Sequence, residues 1–207
     1  MSKHLTVIMG KSLSGKSYVL ENIKAEIGSK KLNAKALITH TTRPKRAGEL
    51  DSINYYFDTN DQFENYKKNN EILVPRDYHV ANGDTWHYYL TKHDLKNLQG
   101  QAYVILDLKG YLDLINDINQ YNNNSKNDKI DLDAIYLNIP LATRLERYLD
   151  TIRQTDDERE FVRRLYDDTF NAFNDLNKPN FIREHHITVV SSTDQALQIV
   201  RNKNLIN

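Results

Sequence analysis

Residues Gly10 to Ser17 read G-K-S-L-S-G-K-S and follow directly on the apolar run Leu5-Thr6-Val7-Ile8-Met9. The pattern G-x-x-x-x-G-K-[ST] between a strand and a helix is a phosphate-binding loop, because its glycines let successive backbone N–H groups turn inward around an anion. A helix opening at Ser17 adds the attraction of its positive dipole end. The residues expected to hold ATP are therefore Gly10, Lys11, Ser12, Leu13, Ser14, Gly15, Lys16 and Ser17. Lys16 reaches the terminal phosphates, and the Ser17 hydroxyl is the expected protein ligand for Mg²⁺. Lys11 and Ser14 matter more for their amides than for their side chains. A plain Gly/Ser turn with a stray lysine would explain neither the strand before it nor the helix after it.

A strand that feeds such a loop belongs to a parallel sheet, and the rest of the chain carries the matching rhythm. Strands are expected at Leu5–Met9, Lys35–Thr39, Ala102–Leu106, Ala134–Ile139 and Ile187–Val190. Helices are expected near Ser17–Ile27, Tyr111–Asn119, Leu141–Leu149, Asp157–Phe173 and Asp194–Arg201. Thr193 or Asp194 is the expected cap of the last helix, and Pro140 suits a first helical turn. The fold class is thus α/β: a P-loop-type parallel sheet flanked by helices, with a small mixed acceptor-binding subdomain and a helical lid. At 207 residues one domain is expected, with a core of 1–39, 91–150 and 158–207. The subdomain is placed at 40–90, too long for a plain connection, and the lid at the polar hinge 151–157. Within 40–90, strand-like pieces fall at Asn54–Phe57, Ile72–Val74 and Tyr88–Leu90, and a helical piece at Asp61–Lys68. The polar stretch Tyr121–Asp131 reads as a solvated loop.

Lys and Arg number 28 and Asp and Glu also number 28, so no global charge argues for a nucleic acid or an anionic membrane. Without cysteine, disulfides and thiolate metal sites are excluded. No leader is expected ahead of the first strand, and no apolar run approaches the ~18 residues of a membrane span. A cytoplasmic enzyme acting on small molecules, as a monomer or homodimer, is the expectation.

Thr39–Phe57 read T-H-T-T-R-P-K-R-A-G-E-L-D-S-I-N-Y-Y-F. Arg43, Lys45 and Arg46 beside a hydroxyl run suit a second phosphate, since arginine presents a planar fork to phosphate and a tyrosine hydroxyl adds a further bond. This segment resembles the guanylate kinases, whose S-x-[ST]-T-R-x-x-R-x-G-E run and D-Y-x-F-like element match it in spacing. By that resemblance Arg43, Arg46 and Tyr55 hold the phosphate of an acceptor nucleoside monophosphate. Thr39 takes the place of a serine near the base, and Tyr88 matches the tyrosine of the Y-G-x-[ST] element, here Y-Y-L-T. Val104–Gly110 resembles the L-D-[IV]-D-x-Q-G strand end, which puts Asp107 on its second aspartate. Ile139-Pro140, Thr155-Asp156 and Arg163-Arg164-Leu165 resemble the lid and the helix behind it. Arg153 and Arg164 are the arginines this implies for closing over the transferring phosphoryl group.

The chain also departs from that pattern. Val74 stands where the family places the glutamate that reads the guanine edge, and a valine accepts no hydrogen bond. The segment up to Tyr88 is several residues longer than usual, with Asp77 or Asp84 as possible replacements for the missing carboxylate. Ile105 replaces the first aspartate of L-D-x-D, and an earlier lid arginine falls on Tyr148 or Leu149 unless Arg147 substitutes. The resemblance implies phosphoryl transfer from ATP to GMP or dGMP. Two alternatives stay open at this point. One is a kinase for another phosphorylated small molecule such as ribose 1,5-bisphosphate, since His79–Gly83 is mildly similar to such relatives. The other is a non-catalytic guanylate-kinase-like binding module, which typically lacks the loop lysine. Trp86 either stacks on a base or packs in the core; His79 and His87 either touch substrate or pack; His185-His186 reads as a strand-entry pair.

Overall fold

The computed structural model describes residues 3–80, 83–125, 128–152 and 158–205. In chain order the elements are β1 (Lys3–Gly10), α1 (Lys16–Gly28), β2 (Ala34–Ala36), β3 (His40–Thr41), β4 (Tyr56–Phe57) and α2 (Asn60–Lys68). Next come β5 (Ile72–His79), β6 (Thr85–Thr91), α3 (Lys92–Lys96), β7 (Gln101–Ile105), α4 (Leu108–Asn124) and β8 (Ile130–Leu137). The chain continues through α5 (Leu141–Ile152), α6 (Glu158–Phe170), α7 (Phe181–Glu184), β9 (Ile187–Val190) and α8 (Thr193–Leu205).

Five strands form a sheet in the order β2-β7-β1-β8-β9, every pair parallel. β1 is central, and its alternating side chains serve two cores because a strand points successive residues to opposite faces. Leu5, Val7 and Met9 join Leu114, Tyr111 and Ile118 of α4 on one face. Ile8 joins Val19 and Ile23 of α1 and Leu197 and Val200 of α8 on the other. Each fully buried Leu, Ile or Val contributes about 1.5–3 kcal/mol relative to exposure. This core fixes the height at which β1 ends, and hence the position of the loop that follows.

A second sheet of order β4-β3-β6-β5 carries the 40–90 segment, with β3 and β4 parallel and the other two pairs antiparallel. α2 covers it, started by a reciprocal capping box between Thr59 and Gln62. Beneath it His40 is held between Asp58 at 2.6 Å and Asp94 at 3.6 Å, and Tyr89 donates to Asp58. The extra residues after Val74 are the arms of a long hairpin, β5–β6, with a bulge between Leu73 and Arg76. Val74 sits at that irregularity with φ +52°, a conformation costly for a β-branched residue.

Several expectations need correction. The strand expected over Lys35–Thr39 is only β2, because the chain leaves the core sheet to build β3. Tyr121–Asp131 is not simply a loop. α4 runs to Asn124, the Asn122 side chain bonds both backbone groups of Ile130, and Tyr121 donates to Asp128, which also pairs with Lys3. α8 begins at Thr193, and the Ser192 hydroxyl accepts from the Gln195 N–H, so neither Thr193 nor Asp194 is the cap. Pro140 immediately precedes α5, and its carbonyl accepts from the Arg144 N–H. α3 and α7 are short helices with no periodic signal long enough to read. Residues 153–157, most of the expected lid, lie outside the described residues. Among the described residues no helix is long and apolar enough to cross a membrane.

Candidate functional site

The phosphate loop joins the C-terminal end of β1 to α1, at the sheet edge where open α/β folds bind ligands. Its glycines are required by crowding. A Cβ on Gly10 would lie 2.5 Å from the Ser14 Oγ and 3.0 Å from the Leu137 carbonyl oxygen. Gly15 caps α1 with φ +95°, and a Cβ there would meet a Thr193 methyl at 2.7 Å. The Lys16 ammonium folds back over the loop and donates to the carbonyls of Gly10 (2.7 Å) and Lys11 (3.0 Å). Burial lowers its pKa to about 8; Asp168 and Asp107 oppose that shift, while Arg144 and Arg164 add to it.

Two helices clamp this loop. Arg144 of α5, almost fully buried, donates to the Ser12 carbonyl at 3.2 Å. It also lies 3.6 Å from Asp168 of α6. Asp168 in turn accepts from the Ser12 N–H at 2.6 Å. One helical turn after Arg144, Arg147 donates to the Leu13 carbonyl at 2.9 Å. Arg147 thus faces the loop.

The loop opens into a cleft of about 490 Å³ whose far wall is the second sheet. Lys16, Ser17, Arg43, Arg46, Tyr55 and Tyr88 all line it. Thr39, Asp107 and Arg164 line it as well, so the two expected phosphate cradles face one shared space. Arg163, although exposed, lines it too. Arg153 falls outside the described residues. Arg43 is 4% exposed and gives bonds to Glu49 (2.7 Å), the Tyr88 hydroxyl (3.2 Å) and the Pro44 carbonyl (2.9 Å). Burial works against its charge, and Glu49 and Tyr88 more than restore it. Glu49 also accepts from the Arg46 N–H at 2.8 Å, which fixes the turn bearing both arginines. Burial raises the Tyr55 hydroxyl above its ordinary value.

Asp107 has more tasks than its place in the sequence suggests. One oxygen caps α4 by accepting from the Gly110 N–H at 2.6 Å. The other accepts from Arg76 Nε (2.9 Å), Arg76 Nη2 (2.6 Å) and the Tyr78 hydroxyl (3.3 Å). Neither Asp77 nor Asp84 is among the described residues lining the cleft. Asp77 points to the other side of the hairpin and pairs with His87 at 2.7 Å. His87 stacks on Phe63 with centroids 4.0 Å apart, and His79 bonds Thr85, so both histidines are engaged away from the cleft. Trp86 does line the cleft.

The chain belongs to the guanylate kinase family. The family model for guanylate kinase matches residues 2–167, four-fifths of the chain. Among curated proteins, guanylate kinase of Schizosaccharomyces pombe is 28% identical over 160 residues, 77% of this chain and 70% of that protein. Guanylate kinase of Carboxydothermus hydrogenoformans is 39% identical over a shorter stretch of 69 residues, 33% of this chain and 32% of that protein. Among solved structures, guanylate kinase from Anaplasma phagocytophilum superposes with a TM-score of 0.56. That match covers 98% of this chain and 85% of that one at 16% identity, a likeness of fold. Family membership makes this chain a nucleoside monophosphate kinase that uses ATP.

Among the residues that escaped the sequence reading are Arg76 of the cleft, Arg144 of the loop clamp and Asp168, which belongs to both. The last two carried a signal. Arg144 and Arg147 are three apart on α5, and Arg164 and Asp168 four apart on α6, so each pair shares a helix face. Arg76 carried none, because its partner is 31 residues away, at the start of α4.

Proposed function

We propose that this protein transfers the γ-phosphoryl group of ATP to GMP or dGMP. The observation that carries the reading is the shared cleft, with Lys16 at one end and Arg43, Arg46 and Tyr55 at the other. Phosphoryl transfer asks a protein for alignment, charge neutralisation and exclusion of water, and each has residues here. The loop amides and Lys16 hold the donor phosphates. Arg43, Arg46 and Tyr55 hold the acceptor phosphate in line, with Arg43 kept rigid by Glu49. Arg164, together with Arg153 of the proposed lid at 151–157, neutralises charge on the group in flight. The acceptor is already ionised at neutral pH, so no side-chain base is needed. Segment 40–90 acts as the acceptor-binding subdomain.

Mg²⁺ fits this cleft in the sparse way that nucleotide-bound magnesium prefers. Ser17 is exposed on the loop and lines the cleft, and no group of three or more His, Asp or Glu forms a protein cage among the described residues. Ser17 would be its protein ligand, and the ion would supply charge neutralisation for the ATP phosphates.

A coupled ADP-release assay with ATP and a panel of GMP, dGMP, AMP, UMP, CMP and ribose 1,5-bisphosphate tests the proposal. Turnover dependent on GMP or dGMP is expected. Turnover only with ribose 1,5-bisphosphate, or none with any acceptor despite ATP binding, would overturn it.

A further inference from the structure

The end of the cleft beyond the phosphate site carries an arginine and an indole between two tyrosines. Arg76 pairs with Tyr88 across the hairpin, and Tyr78 with Trp86, so all four share the face turned to the cleft. Arg76 spends Nε and one Nη2 hydrogen on Asp107. Its end-on fork, Nη1 with the second Nη2 hydrogen, has no partner among the described residues. The Trp86 Nε1–H is buried and also lacks a partner among the described residues. Indole and guanidinium groups donate and never accept. The Val74 side chain offers no acceptor, and both Asp107 oxygens are engaged: one takes three donors while the other takes the α4 amide.

Resting on the GMP kinase reading, we propose that Arg76 and Trp86 read the base of the acceptor at its acceptor edge, the 6-keto oxygen and N7, and leave the 2-amino group unread. A guanidinium fork matches O6 and N7 of a 6-oxopurine bidentately. Adenine places a 6-amino donor against the same fork and is rejected, since a buried donor facing a donor leaves both unsatisfied. Hypoxanthine offers the same O6/N7 edge as guanine and differs only at the unread 2-position. The acceptor class is therefore the 6-oxopurine nucleoside monophosphates, IMP along with GMP and dGMP.

Trp86 is the only tryptophan, so its fluorescence reports base binding apart from turnover. In the full-length protein, kcat/KM for GMP and IMP should agree within about tenfold, with AMP lower by about 10²-fold or more. Quenching of Trp86 emission should accompany binding of both GMP and IMP. Arg76→Met should lower kcat/KM for IMP more than for GMP, because the freed Asp107 oxygen can then accept from the guanine 2-amino group. Val74→Glu should raise the GMP-to-IMP ratio by about tenfold or more by restoring an acceptor for that group. A wild-type enzyme that uses GMP but discriminates against IMP by more than about 10³-fold would overturn this inference and leave the GMP kinase reading intact. So would Arg76→Met and Val74→Glu variants whose GMP-to-IMP ratio is unchanged. Failure to phosphorylate any 6-oxopurine monophosphate would overturn both.

Discussion

The two ends of the cleft are made of different material. The donor end is backbone: amides and carbonyls of Gly10–Ser17, wound by local glycine geometry and clamped from outside by Arg144, Arg147 and Asp168. The acceptor end is side chain: Arg43 on Glu49 and Tyr88, and Arg76 on Asp107, each bond spanning chain segments. A backbone site depends on a short contiguous sequence and changes little. A side-chain site can be re-aimed by single substitutions.

Single substitutions should reveal that difference. The largest effect is expected at Lys16→Ala. It should lower kcat by about 10²–10³-fold while circular dichroism shows the fold retained, because it removes a charge on the transferring group and leaves the loop backbone intact. Nearly full activity would refute the donor-site assignment. Arg43→Ala should lower kcat/KM for the acceptor by about 10²-fold and change the ATP Kd by less than about threefold. It should also destabilise the protein by roughly 3 kcal/mol in urea titration, since Glu49 is left largely buried without its partner. Equal losses for ATP and acceptor would erase the distinction between the two ends.

Arg144→Met attacks the backbone end from outside. With the Arg144 contacts to Ser12 and Asp168 lost and only the Asp168–Ser12 bond left, the KM for ATP should rise about 30-fold with little change in acceptor KM, because a loosened loop misplaces the phosphates. The smallest effect is on pH dependence. Free Lys16, with its pKa lowered to about 8, is charged below that pH and neutral above it. ATP binds the charged form, so affinity should fall about tenfold between pH 7 and 9, with proton uptake on binding above pH 8 measurable by calorimetry in two buffers. A flat profile would mean that the amides alone hold the nucleotide.

Legibility in the sequence followed the same division. The phosphate loop, the central strand and α1 were readable because local periodicity and glycine spacing determine them. The Arg43–Tyr55 cradle was readable through its compact motif. The 75–87 segment was not: its strand β5 contains Pro75 and charged residues, and its alternation shows only once paired with β6. Asp77 and Asp84 were equally good candidates for the missing carboxylate until the register put Asp77 on the far face. Likewise, nothing local in Arg76 announces that Asp107 awaits it across the cleft.

The double engagement of Asp107 limits how such a pocket can evolve. The carboxylate that neutralises Arg76 also begins α4, whose residues Tyr111, Leu114 and Ile118 fill one face of the sheet. Mutational drift to alanine there forfeits a cap of about 1 kcal/mol as well as a counter-ion. Asparagine keeps the cap through its one oxygen but loses the charge and turns an NH2 donor toward Arg76 and Tyr78. A substitution at 76 thus touches the pocket alone, while one at 107 also disturbs the start of a core helix.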